Sequence, residues 1–454
     1  MKEIGIFICN YNKRDYVINC VKSVLEQSFT DFDLFVVDNG STDDSVSKLK
    51  EIYGDKINVI KISKNVGASA GINTGLRKGY EVGYKYIMSL DNDTVLDKDA
   101  VFELYNALSN DENAGMANSK ILQLLTPEKI QEYGAKISFD NYNIEAVERN
   151  KNVSNSSDEI QERDTISTCA VMIKREVIEK IGFLDEEIFI YWDDIDFGYR
   201  CTLSGYKCLV VGSSKVWHNS SWLVIKNLGF NKYYFWRNRL YFFAKYVSEN
   251  DIEKYAKSIL SEFYRNLIGF YCKEQYDLLP VYMYALNDFL YNVRGKAEEH
   301  KYKRTLENNE PFTQLLLDSK EILIKVPKEK GIITEEIFCI FIQNCLRINP
   351  KLKIFTYPDY WNEEEKERLK AEIDISFDVK EKYDNIFYFC EHVEKEKKCI
   401  LPEILVDKYC NCINSNKVYN IYRNIEENCK FFIDAYKDVF IRSVKKLKEN
   451  TSMI

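Results

Sequence analysis

The 454-residue sequence lacks any run of about 18 or more apolar residues, which is the length that a helix needs to span a bilayer. The apolar stretch at residues 4–9 is too short for a secretory signal peptide, because the polar Asn10 follows it directly. We therefore expect a cytoplasmic protein, either free in solution or in peripheral contact with the inner face of the cell membrane.

Other absences exclude further classes of protein. The 13 cysteines are odd in number and include no CxxC pair and no zinc-ligand spacing, so we expect reduced, buried thiols. The net charge of −8 argues against nucleic acid as the main partner. The loop at residues 10–13 has no GxGxxG motif, which excludes a dinucleotide-binding oxidoreductase.

The first third of the chain alternates short apolar runs with helical patterns. Strands are predicted at residues 4–8, 34–37, 57–62 and 86–90, with helices at 17–25, 43–53 and 70–82 between them. This alternation predicts an α/β fold with a parallel sheet covered on both faces. Ligands of such sheets gather at the carboxyl ends of the strands, where the polar clusters at 10–12, 38–43, 65–73 and 91–93 fall.

The rest of the chain predicts two further parts. We expect a catalytic domain at residues 1–225, a helical and aromatic-rich extension at 226–305, and a smaller accessory α/β domain at 306–454. Apolar runs predict four strands in the last part, at residues 322–326, 352–356, 373–377 and 386–390, and a long helix at about 418–447. The role of this last part is open.

The turn Asp91-Asn92-Asp93 directly follows a predicted strand. Two carboxylates one residue apart can face a divalent cation that is also held by a diphosphate, and Mg²⁺ and Mn²⁺ prefer such oxygen ligands. A surface turn with two acids is the alternative. The position at a strand end, beside three other polar loops, favours the metal site.

A second acidic cluster opens a predicted helix at residues 191–200, which contain Asp193, Asp194 and Asp196. Acids in a first helical turn can simply complement the helix dipole. Asp196 and Arg200 are four residues apart, so we expect an ion pair between them. Either Asp193 or Asp194 is left to accept the proton of an incoming hydroxyl group.

The order and spacing of motifs over residues 4–218 resemble those of the inverting glycosyltransferases of family 2, which have a GT-A fold. The bacterial rhamnosyltransferases and galactofuranosyltransferases are the nearest members in pattern. The motifs are Asn10-Tyr11-Asn12, residues 37–43, 65–67 and 70–75, Asp91-Asn92-Asp93, residues 182–186 and 191–200, Gly205-Tyr206, and Val216-Trp217-His218. Weaker similarity continues through Arg237-Asn238-Arg239 and residues 294–296.

The resemblance implies a Rossmann-like nucleotide-sugar-binding domain and a role for each matching residue. Asp194 would be the general base, with Asp193 as the alternative, and His218 would join Asp91 and Asp93 as ligands of Mn²⁺ or Mg²⁺. The donor would be held by nine residues, with Gly67 allowing close backbone approach. These are Asn10, Tyr11, Asn12, Asp38, Asn65, Gly67, Asn73, Asp91 and Asn92.

The implied function is transfer of a sugar from a UDP- or dTDP-sugar to a hydroxyl group of a glycan or lipid-linked glycan, in the synthesis of bacterial surface polysaccharide or glycoconjugate. The reaction would be a single displacement that inverts the anomeric carbon. The alternative is a catalytically silent scaffold or binding module of a polysaccharide-assembly complex. Sugar, base, acceptor and oligomeric state are open.

A run of cations without any acid extends from Lys215 to Val247 and is interleaved with aromatic residues. One interpretation is a helix packed on the catalytic domain, with its cations reaching solvent. The other is a surface for an anionic membrane that carries a lipid-diphosphate acceptor. The cations are Lys215, Lys226, Lys232, Arg237, Arg239 and Lys245, and the aromatic residues are Trp222, Tyr233, Tyr234, Phe235, Trp236, Tyr241, Phe242 and Phe243.

Overall fold

The computed structural model of the protein describes residues 2–219, 228–273, 275–303, 311–326, 335–390, 404–407, 412–414 and 425–451. The chain divides into two compact units. The first comprises Met1–Ile252, Ala285–Tyr302 and Ser443–Ile454, and the second comprises Glu253–Tyr284 and Lys303–Arg442. The segment 226–305 contributes to both units, and the three-part division of the chain stays a prediction.

The first unit contains a ten-stranded sheet and a separate two-stranded sheet. The strands of the larger sheet are β1 (Ile4–Asn10), β2 (Phe32–Asp38), β3 (Asn58–Lys61), β4 (Tyr86–Asp91), β5 (Thr94–Leu96), β6 (Ala114–Gln123), β7 (Ile130–Glu132), β10 (Ile160–Arg163), β11 (Ala170–Lys174) and β12 (Lys207–His218). The smaller sheet pairs β8 (Ala135–Ser138) with β9 (Asn143–Ala146).

The order of the larger sheet is β10-β12-β6-β11-β4-β1-β2-β3, with β5 paired to β12 and β7 to β6. The first four strands are parallel, as the sequence predicts. Beyond β4 the sheet becomes mixed, because β11 runs antiparallel to both β4 and β6. The register places Asn10 beside Asp38 and Cys9 beside Asp91. The carboxyl ends of three parallel strands therefore meet at one edge.

Helices cover both faces of this sheet. Ile4, Ile6 and Ile8 of β1 join one apolar core, while Phe7 joins the core on the opposite face, because side chains alternate along a strand. Across both units, the helices of the described residues are α1 (Arg14–Leu25), α2 (Ser45–Tyr53), α3 (Ala68–Val82), α4 (Ala100–Asn110), α5 (Arg175–Ile181), α6 (Asp193–Leu203), α7 (Leu228–Tyr246), α8 (Ile252–Cys272), α9 (Leu278–Leu290), α10 (Pro311–Asp318), α11 (Glu335–Ile348), α12 (Glu363–Glu372) and α13 (Ile425–Thr451).

The second unit contains the predicted smaller α/β fold. Its strands are β13 (Glu321–Lys325), β14 (Lys353–Thr356), β15 (Ile375–Ser376), β16 (Asn385–Cys390), β17 (Ile404–Asp407) and β18 (Cys412–Asn414). They form one sheet in the order β15-β14-β13-β16-β17-β18, in which only β18 is antiparallel. The predicted strands are all present, and the long helix is described from Ile425 to Thr451, while residues 418–424 of the prediction lie outside the described residues.

The cation-rich segment folds as α7, and its described side chains are mostly interior. Arg237 and Arg239 are buried, as are Tyr233, Tyr234 and Trp236. From residue 228 onwards the segment therefore packs as a helix with both arginines interior, while Trp222 and Lys226 lie outside the described residues. No helix in the described parts of the chain combines the length and apolar character needed to cross a bilayer. Peripheral membrane contact stays a prediction.

Candidate active site

Two asparagines at the strand ends tie the loops of the site together. The Asn92 side-chain amide donates to Oδ1 of Asn10 at 2.8 Å, and the Asn39 backbone N–H donates to the Asn10 carbonyl, also at 2.8 Å. The Asn10 amide nitrogen in turn donates to the Ser41 hydroxyl at 3.3 Å. The resemblance assigns Asn10 and Asn92 to donor binding. In the structure these polar groups form hydrogen bonds that connect the loops of the site.

Of the predicted donor residues Tyr11, Asn12 and Asp38, one has a structural role and two have groups that a ligand can reach. Asn12 has a positive φ of 48°, and its Oδ1 accepts from the backbone N–H groups of Thr42 and Asp43 at 2.7 and 3.2 Å. Asn12 therefore shapes the turn. Tyr11 is 42% exposed. Asp38 is buried, and its Oδ1 has no hydrogen-bond partner among the described residues, so this oxygen is open to a donor group of a ligand or a water molecule.

The three predicted donor residues between 65 and 73 make internal contacts. Gly67 has a φ of 98°, and a Cβ there would lie 2.5 Å from the Phe189 ring. This glycine thus allows the close approach of Phe189, and the approach of a donor stays a prediction. Asn73 is fully buried and pairs with the backbone of Leu184 at 2.9 and 3.0 Å, while Asn65 accepts from the Gly67 N–H at 2.9 Å.

The three predicted metal ligands lie together. Antiparallel pairing of β12 with β5 brings His218 opposite Thr94, beside the 91–93 turn. The His218 Nε2 lies 3.2 Å from Oδ1 of Asp93 and 3.6 Å from Oδ2 of Asp91. Burial raises the pKa of Asp91, whereas the pKa of Asp93 is lowered because His218 and Lys13 outweigh the effect of its burial. Two carboxylates and an imidazole fit a divalent cation.

Two further groups beside His218 are ones that sequence reasoning misses. The Cys169 thiol has its sulfur within 4.8 Å of ligand atoms of both Asp91 and His218. Glu132 on β7 has a pKa raised by burial. Neither residue belongs to a motif with recognisable spacing, so only the packing of distant strands reveals them.

The buried Asp193 and the half-buried Asp194 form an acidic pair at the start of α6. Oδ2 of Asp193 accepts from the Ser69 hydroxyl at 2.9 Å, and Oδ1 of Asp194 accepts from the Ile195 N–H at 2.8 Å. Burial raises the pKa of Asp193 to about 6. Burial and the charges of Asp193 and Glu132 raise the pKa of Asp194 well above its usual range. Such a pair retains a proton at mildly acidic pH and can accept one at higher pH.

The 91–93 turn and the Asp193–Asp194 pair lie within electrostatic range of each other. The Asp91 carboxylate contributes to the raised pKa of both Asp193 and Asp194, which requires that these groups lie within electrostatic range. By contrast, Asp196 points elsewhere: it binds Arg200 at 2.8 Å, which confirms the predicted ion pair, and Lys245 at 2.7 Å. Asp196 is therefore a structural residue.

The segment before Asp193 has a strained backbone. Phe189, Tyr191 and Trp192 all have positive φ values, of 70°, 60° and 72°, which bulky residues adopt only when their surroundings impose them. Asn238 on α7 supplies part of that restraint. Its side-chain nitrogen lies 2.7–3.2 Å from three carbonyl oxygens, those of Ile188, Ile190 and Tyr191.

Arg237 adds to this restraint from the neighbouring position of α7. Its buried guanidinium group donates to the Gly295 carbonyl at 2.8 Å and to the Ile188 carbonyl at 3.3 Å. Arg237 and Asn238 therefore orient the acidic pair without touching it. Their only sequence signal is the weaker similarity noted at residues 237–239.

Comparison with known proteins reveals one matching family and several similar sequences. Residues 5–182 match the family model for glycosyl transferase family 2. A stretch of 101 residues is 40% identical to chondroitin synthase of Escherichia coli and covers 22% of this chain and 14% of that protein. A stretch of 215 residues is 21% identical to poly-beta-1,6-N-acetyl-D-glucosamine synthase of Staphylococcus aureus (strain MSSA476) and covers 46% of this chain and 47% of that protein.

The chain thus spans less than half the length of these two relatives. In structure, it is similar to GalNAc-T7 with UDP, GalNAc and Mn²⁺, with a TM-score of 0.45 and 16% identity, over 57% of this chain and 50% of that one. The family match includes the strand ends and the 91–93 turn, while Asp193, Asp194 and His218 lie beyond it. Residues 5–182 therefore form a glycosyl transferase family 2 domain, and the mixed sheet of the first unit confirms the α/β class that the sequence predicts.

Proposed function

We propose that this protein transfers a sugar from a nucleotide-diphosphate donor to a hydroxyl group of a glycan acceptor, with inversion at the anomeric carbon. The observation that carries the proposal is that two acidic groups from distant parts of the chain lie within electrostatic range of each other. One group, Asp91 and Asp93 with His218, suits a cation. The other, Asp193 and Asp194, has raised pKa values that suit a base.

Asp194 is the general base of the proposed reaction. Its carboxylate accepts the proton of the acceptor hydroxyl as that oxygen attacks the anomeric carbon from the face opposite the diphosphate. Asp193 is held by Ser69 and keeps a second negative charge nearby, which makes Asp194 more basic. Asp91, Asp93 and His218 would hold Mn²⁺ or Mg²⁺, which supplies charge stabilisation for the leaving diphosphate.

Two further residues support the binding of a nucleotide. Asp38 has a buried oxygen without a partner in the described part of the chain, which suits a donor N–H or O–H of a base or ribose. Tyr11 is exposed beside it and offers a ring surface. We propose a UDP- or dTDP-sugar as the donor. The matches to two named polysaccharide synthases support a role in polysaccharide or glycoconjugate synthesis.

The test is an assay of the full chain against a panel of UDP- and dTDP-sugars with Mn²⁺, with and without glycan acceptors. We expect transfer or slow donor hydrolysis with at least one donor, and loss of it on chelation of the metal. A scaffold without catalysis is the competing function. Tight binding of a nucleotide sugar without turnover on any acceptor class, by wild type and Asp194→Asn alike, would favour the scaffold.

A further inference from the structure

The Cys169 thiol adds a third kind of ligand to the proposed metal centre. Cys169 immediately precedes β11, and its carbonyl accepts from the Asp91 N–H at 2.9 Å, which fixes it against the 91–93 turn. The residue is 3% exposed, and its sulfur lies 3.4 Å from the Thr94 hydroxyl. One ligand atom each of Asp91, Cys169 and His218 lie within 4.8 Å of one another.

The surroundings of His218 suit an imidazole that binds a cation through Nε2. Its Nδ1 lies 2.9 Å from the Gln131 amide nitrogen, while the Gln131 amide oxygen is buried without a partner in the described residues. Exchange of the two amide atoms, which are nearly alike in size, would put the oxygen opposite Nδ1. That oxygen would accept the Nδ1 proton and leave the Nε2 lone pair free for a metal.

We propose that Asp91, Cys169 and His218 form a mixed carboxylate, thiol and imidazole centre that binds a thiophilic divalent cation, such as Zn²⁺ or Co²⁺, through the Cys169 sulfur. The inference rests on the proposed function in so far as the same centre serves the sugar-transfer reaction. Zn²⁺ takes cysteine, histidine and aspartate ligands in tetrahedral sites. Mn²⁺ and Mg²⁺ prefer oxygen ligands, so they would use Asp91 and Asp93 instead of the sulfur.

The distances fit this arrangement with small side-chain movements. Donor atoms around a tetrahedral zinc ion lie roughly 3.3–3.8 Å apart, given its bond lengths of about 2.0–2.3 Å. The His218 Nε2 and Asp91 Oδ2 atoms are already 3.6 Å apart. The Cys169 sulfur lies within 4.8 Å of both of these residues' ligand atoms, so it has to move closer to them by about 1 Å. A cation held in this way draws Asp91 towards Cys169, so we expect Zn²⁺ to inhibit a reaction that Mn²⁺ supports.

The direct test is a Co²⁺ titration of the full chain, stripped of metal and kept reduced, in the absence of nucleotide. We expect a sulfur-to-cobalt charge-transfer band in the near ultraviolet for the wild type and its loss in Cys169→Ala. Zn²⁺ affinity, measured by competition, should fall more than about tenfold in that variant, since loss of an outer-shell partner alone costs about that much. Mn²⁺ affinity, measured by electron paramagnetic resonance, should change little.

The matched control is Cys20→Ala, because Cys20 is also buried and its sulfur lies 3.5 Å from the Asp91 carbonyl oxygen. This variant should keep the band. Absence of the band in the wild type overturns the inference, and this result does not depend on the folding of any variant. Persistence of the band in Cys169→Ala overturns it as well. Failure of the proposed function has a different signature, namely binding of a nucleotide sugar without transfer or hydrolysis in the presence of Mn²⁺, whether or not the cobalt band appears.

Discussion

The Nζ atom of Lys13 lies 2.5 Å from Oδ2 of Asp93, so that the two oxygens of this carboxylate face two different partners. Oδ1 faces the His218 imidazole at 3.2 Å. Asp93 is 4% exposed and Lys13 is 36% exposed, so the lysine is the partner that can move away. A divalent cation that binds Asp93 has to displace or repel this ammonium group.

The first prediction is that Lys13→Met increases the affinity for Mn²⁺ in the absence of nucleotide. Removal of a positive charge beside Asp93 should strengthen binding by at least about fivefold, equivalent to about 1 kcal/mol. Electron paramagnetic resonance of free Mn²⁺ measures the effect. Lys22→Met is the control, since Lys22 is exposed on α1, which begins directly after Lys13, and forms an ion pair with Glu26 at 3.9 Å. Unchanged or weaker Mn²⁺ binding in Lys13→Met would contradict the prediction.

The second prediction concerns the proposed base. Asp194→Asn should lower kcat by about 100- to 10,000-fold, because the amide cannot accept the acceptor's proton. Donor binding, measured by calorimetry with the nucleotide sugar and Mn²⁺, should remain nearly intact. Glu187→Gln serves as a control on the same stretch of chain, since Glu187 binds only the surface partner Arg294 in the described structure. Weak donor binding in Asp194→Asn would instead make Asp194 a donor ligand.

The third prediction is a shift in the pH profile. The charge of Asp193 raises the pKa of Asp194, so transfer should be lost as the pH falls and the pair takes up a proton. Asp193→Asn removes that charge and keeps an oxygen for Ser69. The acidic limb of kcat/KM should therefore move to lower pH in this variant. A limb that moves to higher pH, or does not move, would mean that Asp193 does not act on the base.

The same pair has a consequence for stability, with a definite sign. The pKa of Asp193 is raised by folding to about 6, so the folded state binds more protons than the unfolded state above the unfolded value of about 4. Its contribution to the free energy of unfolding is therefore complete at low pH and is lost as the pH rises through about 6. Asp193→Asn should flatten this part of the stability curve, as measured by urea denaturation.

The fourth prediction tests the support of the strained segment. Asn238→Ala removes the side-chain donor of the Ile190 and Tyr191 carbonyl groups and leaves the Ile188 carbonyl with Arg237, which should lower the free energy of unfolding by about 1–3 kcal/mol. Because the segment leads into Asp193, kcat should fall more than Mn²⁺ affinity does. Asn231→Ala is the milder control, since it removes only the bond to the Tyr191 hydroxyl at 3.0 Å. Equal effects of the two variants on kcat would contradict the assigned role.

Much of the architecture could be predicted from local pattern. The apolar runs that became β1, β2 and β4 are continuous because these strands are buried on both faces, and such runs are visible without any knowledge of the fold. The acids at 91–93 and 193–194 could be identified because they stand at the ends of those strands or at the start of a helix. The i, i+4 pair of Asp196 and Arg200 follows from helix geometry alone.

The sequence by itself determined the four parallel strands that begin the sheet, the family that residues 5–182 match and the identity of the principal acids. Only the tertiary structure decided that Asn73 and Gly67 hold the chain around residues 184–189, that Arg237 is interior, and that Cys169 lies beside His218. The physical reason is that these contacts join residues far apart in the chain. Periodicity and motif spacing record which side chains share a face, but only packing determines which faces meet.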